Sequence, residues 1–245
     1  MRIRPLIGIS LDTRESQAES VVYELADTYA QRVVEAGGVP LLLPHVSDAA
    51  VRRCMIAVVD GLLIPGGDDV DPTLYQQRPH AKTQLMDKRR QAFDLAMLAL
   101  AQRHNVPTLG ICLGFQMMNV QRQGTLVQYL PDVAGGMRVN HAANPDKLLR
   151  YDARHAVQPV AGTRLARLFG HGLLMVNSTH RQGVDQLGQG LIPAAIAPDG
   201  LVEAMEDPTL NFWMGVQWHP ERMPKDPQIK LFEALVGAAR HRDKL

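Results

Sequence analysis

A single cysteine stands between two glycines where a short apolar run ends, in the segment LGICLGFQMMN at 109–119. Gly110, Cys112 and Gly114 have the nucleophile-elbow spacing, with sulfur in place of a hydroxyl. Such a sharp turn needs small neighbours, and it directs the N-terminus of the following helix at the thiol, which favours the thiolate. The pattern therefore indicates a nucleophile at Cys112, although a lone cysteine can also be a small buried core residue.

A candidate general base lies far along the chain, in the segment GVQWHPE at 215–221. An apolar strand is predicted to end in His219, and Glu221 follows two residues later, so that in an extended chain both side chains point the same way. A carboxylate in that place holds the imidazole in the tautomer that accepts a proton. Each residue alone could be a surface group, but the pair at a strand end favours a base and its orienting partner.

A third segment, IPGGDDVDP at 64–72, could supply hydrogen-bond donors for an oxyanion. A strand that enters Gly66 and Gly67 predicts a turn with exposed N–H groups, and the N–H of Leu113, next to the cysteine, would face the same oxygen. An ordinary glycine turn is the alternative. The three aspartates between 68 and 71 do not match a calcium loop, and no metal site is expected there.

The elements that position these segments are predicted from short apolar runs that alternate with helical patterns. The predicted strands of the first half are PLIGIS, VPLLLP, GLLIPGG and VPTLGI, beginning at residues 5, 39, 61 and 106. Helices are predicted between them, the first with a face of Val22, Ala26, Tyr29 and Val33 ended by Gly37, the second from an N-cap at Ser47 to Val58, and the third through Phe93 to a stop at Asn105. Strand and helix in alternation predict a parallel sheet with helices on both faces, and VPLLLP is expected to be buried in it.

The second half predicts extra strands, partly antiparallel, added to the same sheet. Its short runs are HAVQPV, LLMVNS, IPAAIAP, LVEAME and FWMGVQW, and a closing helix follows around 229–236. No linker separates the halves, so one domain over 1–245 is expected. The predicted fold class is an α/β fold with an open, mostly parallel sheet of the flavodoxin-like type.

Composition excludes several classes of protein. The chain has 245 residues, a formal net charge of +1 and two cysteines. Neither the charge nor any apolar run argues for nucleic acid or a membrane, and the start lacks a signal-peptide pattern, so a cytoplasmic protein is expected. Cys54 is expected in the core, and the segment MDKRR at 86–90 at a solvated helix start. Seven histidines show no metal-ligand spacing, and no metal or cofactor is expected: they are His45, His80, His104, His141, His155, His171 and His241.

The motifs in this order resemble the class I glutamine amidotransferase superfamily. More narrowly, they are similar to its free-standing γ-glutamyl hydrolases, the peptidase C26 group that includes γ-glutamyl-γ-aminobutyrate hydrolase. The segments that carry the resemblance are AGGVPLLLP, DGLLIPGGDDVDPTLY, VPTLGICLGFQMMNV, GTLVQYLPD, LLMVNSTHRQGVDQLG, APDGLVEAME and GVQWHPE. The resemblance implies a Cys-His-Glu triad of Cys112, His219 and Glu221, and an oxyanion hole from the backbone of Gly67 and Leu113.

The resemblance also implies residues that hold the glutamyl α-amino and α-carboxylate groups. The implied substrate-binding residues are Gly66, Gln116, Asn177, Ser178, His180 and Arg181. Several positions depart from the family pattern: Leu113 replaces an arginine, Gln123 a glycine and Arg181 a histidine, and Gln91 and Asp94 stand where the family has an acid-glutamate pair. Gln123 would add strain if its position needs a left-handed backbone, and Arg181 could bind a carboxylate on the leaving amine.

The implied function is hydrolysis of a γ-glutamyl amide bond, in γ-glutamyl-GABA or a related γ-glutamyl amine, through a glutamyl thioester. It would release glutamate and the amine, with a role in polyamine catabolism, no cofactor, and a small molecule as partner. A homodimer is the commonest default. Two alternatives stay open: a glutaminase subunit that supplies ammonia to a separate synthetase, and a catalytically impaired binding protein of the same fold. The sequence does not identify the leaving amine.

Overall fold

The described part of the chain is built around one nine-stranded sheet. The computed structural model describes residues 4–15, 21–133, 139–141 and 153–242. The order across the sheet is β4-β1-β5-β6-β13-β12-β11-β8-β9. Its strands are β1 (Leu6–Ser10), β4 (Val39–Leu43), β5 (Gly61–Ile64), β6 (Thr108–Ile111), β8 (Arg154–Pro159), β9 (Leu174–Asn177), β11 (Ile192–Ile196), β12 (Val202–Glu206) and β13 (Trp213–Val216).

The five strands from β4 to β13 are parallel. Numbered by their order along the chain they run 2-1-3-4-5, the flavodoxin-like arrangement, so the predicted fold class is confirmed. Because their carboxyl ends meet at one edge, the residues that follow β5, β6 and β13 lie side by side. These are the segments that carry the glycine turn, the cysteine and the histidine.

The remaining four strands, β12, β11, β8 and β9, pair antiparallel with one another, and β12 pairs antiparallel with β13. All of them come from the second half of the chain, as the sequence predicted. Strands from both halves thus share one sheet, which is consistent with the prediction of a single domain over 1–245.

Six α-helices of the described residues cover the two faces of the sheet. They are α1 (Asp27–Glu35), α2 (Ala49–Val58), α3 (Lys88–Arg103), α4 (Leu113–Gln121), α5 (Arg164–Phe169) and α6 (Lys225–Arg240). Helices α1, α5 and α6 bury their apolar residues in one cluster, whereas α2, α3 and α4 contribute to a second cluster on the other face. Gly37 follows α1 with φ +85° and Asn105 follows α3 with φ +50°, so both predicted helix stops are confirmed.

In the described part of the chain, two small antiparallel pairs of strands accompany the main sheet: β2 (Asp12–Glu15) with β3 (Val21–Glu24), and β7 (Leu126–Val127) with β10 (Gly183–Val184). The first corrects the prediction that Val22 begins a helical face. The β-branched and aromatic run Val21-Val22-Tyr23 favours a strand, and helix α1 begins only at Asp27.

Three further expectations were wrong in detail. Strand β4 is not buried, since Leu42 is 50% exposed: β4 is the outermost strand of the sheet and pairs only with β1. Cys54 is exposed rather than in the core, because it lies on the outer side of α2. The N-cap of α2 is Asp48 and not Ser47, since the carboxylate of Asp48 accepts from the N–H groups of Ala50 and Val51.

Among the residues that the structure describes, no helix is long and apolar enough to cross a membrane.

Candidate active site

Cys112 occupies the sharp turn between β6 and α4. Its backbone has φ +52° and ψ −104°, a conformation that residues other than glycine rarely adopt. The N–H of Cys112 donates to the carbonyl oxygen of Val216 over 2.8 Å, which ties the turn to β13. The side chain is 8% exposed. Strain held in this way is typical of functional turns, and it places the sulfur at the N-terminus of α4.

The two glycines around Cys112 are required by space. A Cβ on Gly114 would overlap the carbonyl oxygen of Ile64 in β5. A Cβ on Gly110 would lie 2.7 Å from the backbone carbonyl of Gly114 and would crowd the sulfur of Met118. The elbow therefore packs α4 directly against the strands, which confirms the steric reason expected from the G-x-C-x-G spacing.

His219 and Glu221 form a buried hydrogen-bonded pair. The Nδ1 of His219 lies 2.8 Å from Oε1 of Glu221. The prediction of an extended chain here was wrong, because β13 ends at Val216 and Glu221 lies in a 3-10 turn over Pro220–Arg222. The turn brings the carboxylate back to the ring. The pairing itself, which the sequence predicted, is present.

The His219 ring also interacts with Cys112. Burial by itself lowers the pKa of His219, but the interaction with Cys112, which includes a hydrogen bond, and that with Glu221 raise this pKa to about 9. Since Nδ1 faces Glu221, Nε2 is the ring atom left for the sulfur. The sulfur of Cys112, the imidazole of His219 and the carboxylate of Glu221 thus form a hydrogen-bonded chain, although Cys112 is distant from the other two residues in the sequence.

The glycine turn after β5 lies beside both groups. A Cβ placed on Gly66 would be 2.9 Å from Cε1 of His219 and 3.6 Å from Cβ of Cys112. The N–H of Leu113, in the first turn of α4, has no acceptor within its own helix and is free for another partner. The structure therefore brings together the residues that the sequence predicted as nucleophile, base and oxyanion donors.

The side chain of Arg90 is hydrogen-bonded to the backbone of that glycine turn. The prediction that MDKRR is a solvated helix start was wrong for this residue, which is fully buried. Its Nη2 donates to the carbonyl oxygens of Pro65 and Gly66, each over 3.0 Å. In a trans peptide the C=O and N–H point in opposite directions, so the bond to the Gly66 oxygen directs the N–H of Gly67 away from Arg90.

Two carboxylates compensate the charge of Arg90. Its Nη1 lies 3.0 Å from Asp12, and its Nε lies 3.3 Å from Asp94, one turn further along α3. Burial raises the pKa of Asp94 to about 6 in spite of the guanidinium. The only signal for Arg90 in the sequence is its spacing of four from Asp94, which is equally common on exposed helix faces.

A cavity of about 410 Å³ opens beside the glycine turn. Its walls include Gly66, Gly67, Tyr29 and Arg222, but neither Cys112 nor His219. Tyr29 connects the cavity with the candidate site, because its hydroxyl oxygen accepts from the N–H of Gly66 over 3.1 Å. Burial raises the pKa of Tyr29 well above its ordinary value, so this hydroxyl stays protonated.

Gln217 is a neighbour of the sulfur that the sequence did not predict. Its Nε2 lies 3.6 Å from Sγ of Cys112, and its Oε1 accepts from Nε2 of Gln116 over 3.1 Å. Gln116 also donates to the carbonyl oxygen of Gln182. The predicted substrate-binding residue Gln116 therefore reaches the cysteine through Gln217, and only the packing of α4 against β13 shows this.

The side chains of Asn177, Ser178 and His180 make contacts within the protein. Asn177 bonds twice to the backbone of His219, accepting from its N–H over 2.9 Å and donating to its carbonyl oxygen over 3.1 Å. The hydroxyl of Ser178 donates to the carbonyl oxygen of His141. The Nδ1 of His180 lies 2.8 Å from the carbonyl oxygen of Gln182. Asn177 thus positions the candidate base, and substrate binding by these three residues stays a prediction.

Three of the departures from the family pattern have distinct surroundings. Leu113 is buried, and its Cδ2 would lie 2.8 Å from a Cβ placed on Gly67. Arg181 lies 3.0 Å from Oε1 of Gln84 and 3.5 Å from the carboxylate of Asp69. Gln123 has φ +67°, so the left-handed backbone that would make it strained is present.

The fold is that of the glutamine amidotransferase and glutaminase domains. The glutaminase domain of Trypanosoma brucei CTPS, solved with bound acivicin, superposes with a TM-score of 0.63 over 98% of this chain and 96% of that one, at 17% sequence identity. At this identity the likeness concerns the fold alone.

The chain belongs to the Peptidase C26 family, whose model matches residues 5–221. It is 38% identical to a Mycobacterium tuberculosis protein named "Putative glutamine amidotransferase Rv2859c", over 96% of this chain and 75% of that protein. It is 30% identical to the γ-glutamyl-γ-aminobutyrate hydrolase PuuD of Escherichia coli K12, over 97% of this chain and 94% of that enzyme. The family resemblance inferred from the motifs is thereby confirmed.

Proposed function

We propose that the protein hydrolyses a γ-glutamyl amide bond through a glutamyl thioester on Cys112. The observation that carries the proposal is the buried series of Cys112, His219 and Glu221 at the N-terminus of α4. The Nδ1 of His219 is fixed on Glu221 at 2.8 Å, and the ring is hydrogen-bonded to the cysteine. This arrangement supplies a nucleophile, a proton carrier and an orienting carboxylate.

In the first half of the reaction the thiolate of Cys112 forms a bond to the γ-carbonyl carbon, and the carbonyl electrons move to oxygen. The N–H groups of Gly67 and Leu113 stabilise this oxyanion, an interaction worth about 3 kcal/mol per donor. When the C–N bond breaks, the imidazolium of His219 gives its proton to the leaving amine. The product of this half-reaction is the glutamyl thioester.

In the second half His219, now neutral, takes a proton from a water molecule that attacks the thioester carbon. The C–S bond then breaks, glutamate leaves, and the pair of thiolate and imidazolium is restored. Water is the only co-reactant, so the sequence of steps uses no cofactor.

We further propose γ-glutamyl-GABA, or a related γ-glutamyl amine, as substrate, with a role in polyamine catabolism. The support is the name of the Escherichia coli relative, together with the position of Arg181. This side chain is partly exposed, and its ion pair with Asp69 is long, at 3.5 Å. It is thus available for a carboxylate of the leaving amine, which GABA has and putrescine lacks.

The decisive experiment is an assay of glutamate release from γ-glutamyl-GABA by the isolated chain and its Cys112→Ala variant. The variant is expected to lose at least about a thousandfold in kcat, because no thioester can form. Cys54→Ala is the matched control, since Cys54 is an exposed residue of α2, and it should retain full activity. Undiminished release by Cys112→Ala would overturn the proposal.

The choice of leaving amine has its own test. Arg181→Gln is expected to raise KM for γ-glutamyl-GABA severalfold and to leave KM for γ-glutamylputrescine unchanged. An equal change for both substrates would remove Arg181 from amine recognition without affecting the proposed chemistry.

Two other functions predict different results. A glutaminase subunit would turn over glutamine better than γ-glutamyl amines, in particular when a synthetase is added. A binding protein of the same fold would release no glutamate from either substrate and would leave Cys112 unreactive towards iodoacetamide in the Cys54→Ala background.

A further inference from the structure

A second cluster of polar side chains lies apart from the triad. His141, His155, His180 and Glu203 are all buried, and each offers a ligand atom, all within 4.8 Å of one another. His155 lies in β8 and Glu203 in β12, whereas His141 and His180 lie in connecting segments. Four elements that are distant in sequence therefore converge on one point, which is why spacing along the chain did not predict it.

In the rings of His155 and His180, the nitrogen that faces away from the cluster is already hydrogen-bonded. The Nδ1 of His155 lies 3.2 Å from the carbonyl oxygen of Ala156, and that of His180 lies 2.8 Å from the carbonyl oxygen of Gln182. A carbonyl oxygen only accepts, so both Nδ1 atoms carry hydrogen. The Nε2 atom of a neutral ring is then an unprotonated lone pair.

The inner nitrogens all face the same carboxylate oxygen. Oε1 of Glu203 is 3.1 Å from Nδ1 of His141, 3.6 Å from Nε2 of His155 and 3.4 Å from Nε2 of His180. Among the described residues, none of these nitrogens and neither oxygen of Glu203 has a partner with hydrogen-bond geometry. Lone pairs thus converge on a buried anion, an arrangement that is unfavourable without a cation or additional protons between them.

Protonation of the rings would not resolve this unfavourable contact between lone pairs and a buried carboxylate. A proton on Nδ1 of His141 would satisfy only one of the three contacts, and Nε2 of His155 and Nε2 of His180 would still face the carboxylate oxygen as unprotonated lone pairs. Three imidazolium groups around one carboxylate would leave net positive charge in a site from which water is excluded. One divalent ion would accept all four lone pairs at once.

We infer that His141, His155, His180 and Glu203 bind one divalent first-row transition metal ion, with Zn²⁺ as the reference ion. Three imidazoles and one carboxylate form a donor set that suits Zn²⁺, Fe²⁺ or Mn²⁺ rather than Ca²⁺ or Mg²⁺. Bonds of about 2.0–2.1 Å to a tetrahedral ion separate its ligand atoms by about 3.3 Å. The distances from Glu203 to the three rings scatter around that value.

The surroundings of the cluster match those of metal-bound histidines. The Nε2 of His141, the ring atom that faces away from the cluster, lies 2.8 Å from the carboxylate of Asp199, and the other two rings bond to carbonyl oxygens. Acceptors in this outer position fix the tautomer and the orientation of a ligating ring. Each ring is thus prepared to present its lone pair to an ion.

The ion would stabilise the segment that positions the candidate base. The carbonyl oxygen of His141 accepts from the N–H of His180 and from the hydroxyl of Ser178. The next residue towards the N-terminus, Asn177, forms the double hydrogen bond to His219. The metal site therefore goes beyond the proposed hydrolysis: it takes no part in the chemistry, and it cross-links the elements that support His219.

The test is a zinc titration of the untagged Cys112→Ala variant after dialysis against a chelator, with metal content measured by plasma mass spectrometry. This variant removes the one thiol that could bind zinc at the candidate active site. We expect about one zinc ion per chain with a Kd below about 1 µM, and a rise in Tm of several degrees on zinc addition.

Ligand variants locate the site. In the same background, Glu203→Gln and His155→Gln should each weaken zinc binding at least about a hundredfold, whereas His171→Gln, at an exposed histidine, should not change it. The inference is overturned if the chain binds no zinc at micromolar concentration, or if the ligand variants bind as tightly as their control. If the ligand variants fail to fold, the number of zinc ions bound per Cys112→Ala chain and the change in its Tm on zinc addition decide whether the inference holds. Failure of the hydrolase proposal would leave these results unchanged.

Discussion

The buried guanidinium of Arg90 donates a hydrogen bond of 3.0 Å to the carbonyl oxygen of Gly66. This bond sets the peptide that joins Gly66 to Gly67, and thereby the direction of the Gly67 N–H. One charged side chain on α3 thus orients the backbone donor that we propose for the oxyanion hole.

Replacement of Arg90 by lysine tests that relationship. An ammonium group cannot reproduce the planar fork that contacts two carbonyls and two carboxylates, so the peptide is expected to lose its orientation. We expect Arg90→Lys to lower kcat by about 10- to 100-fold with a smaller change in KM, since only transition-state stabilisation is affected. Arg89→Lys, on the exposed side of the same turn, is the control. Equal kcat for wild type and Arg90→Lys, with both folded by circular dichroism, would contradict the positioning role.

The protonation of His219 predicts the alkaline limit of activity. Its pKa is raised to about 9, and the protonated ring is the form that delivers a proton to the leaving amine. The rate of thioester formation is therefore expected to fall as pH rises through about 9. Glu221 contributes to the raised pKa, so Glu221→Gln should lower overall activity and move this limit to lower pH.

The measurement is a pH profile of kcat/KM, supported by an NMR titration of the His219 ring in both proteins. The NMR titration remains informative if Glu221→Gln is too slow to assay. A His219 pKa that stays the same after loss of the carboxylate would show that Glu221 does not stabilise the imidazolium.

Gln123 is expected to be a strained position. It follows α4 in a Schellman arrangement, in which the N–H groups of Gln123 and Gly124 donate to the carbonyl oxygens of Val120 and Asn119. With φ +67°, glycine should be more stable here than alanine by about 1 kcal/mol. Both substitutions remove the hydrogen bond from Gln189, so comparing Gln123→Gly with Gln123→Ala by urea unfolding isolates the backbone contribution. Equal stability of the two variants would exclude strain at this residue.

Gly114 and Gly237 predict opposite effects of the same added methyl group. In Gly114→Ala the methyl would overlap the carbonyl of Ile64, so the free energy of unfolding should fall by at least about 2 kcal/mol. Gly237 lies within helix α6, and in Gly237→Ala the methyl would meet no atom within 4 Å apart from the helix's own backbone, so stability should rise by about 0.5–1 kcal/mol. Thermal unfolding of both variants measures the contrast. A shift in the same direction for both would contradict the close packing of α4 on β5.

Much of the candidate site could be predicted from the sequence because it depends on local backbone geometry. The two glycines of the G-x-C-x-G spacing leave room for a sharp turn at Cys112, and this turn also fixes Cys112 at a helix start. The strand that precedes Cys112 and the one that leads towards His219 are both short apolar runs. Their parallel pairing then brings them to one edge of the sheet.

The tertiary structure decided what depends on contacts between distant segments. A charged run such as MDKRR gives the same pattern whether solvated or buried, so the burial of Arg90 follows only from the acidic and carbonyl groups that surround it. Likewise, the convergence of three histidines on Glu203 depends on the pairing of β11 with β8 on one side and with β12 on the other, since hydrogen-bonded strands bring together side chains that no spacing along the chain relates. Local rules thus determined the turn that carries the cysteine, whereas the neighbours of that turn and the second cluster were determined by how the sheet is assembled.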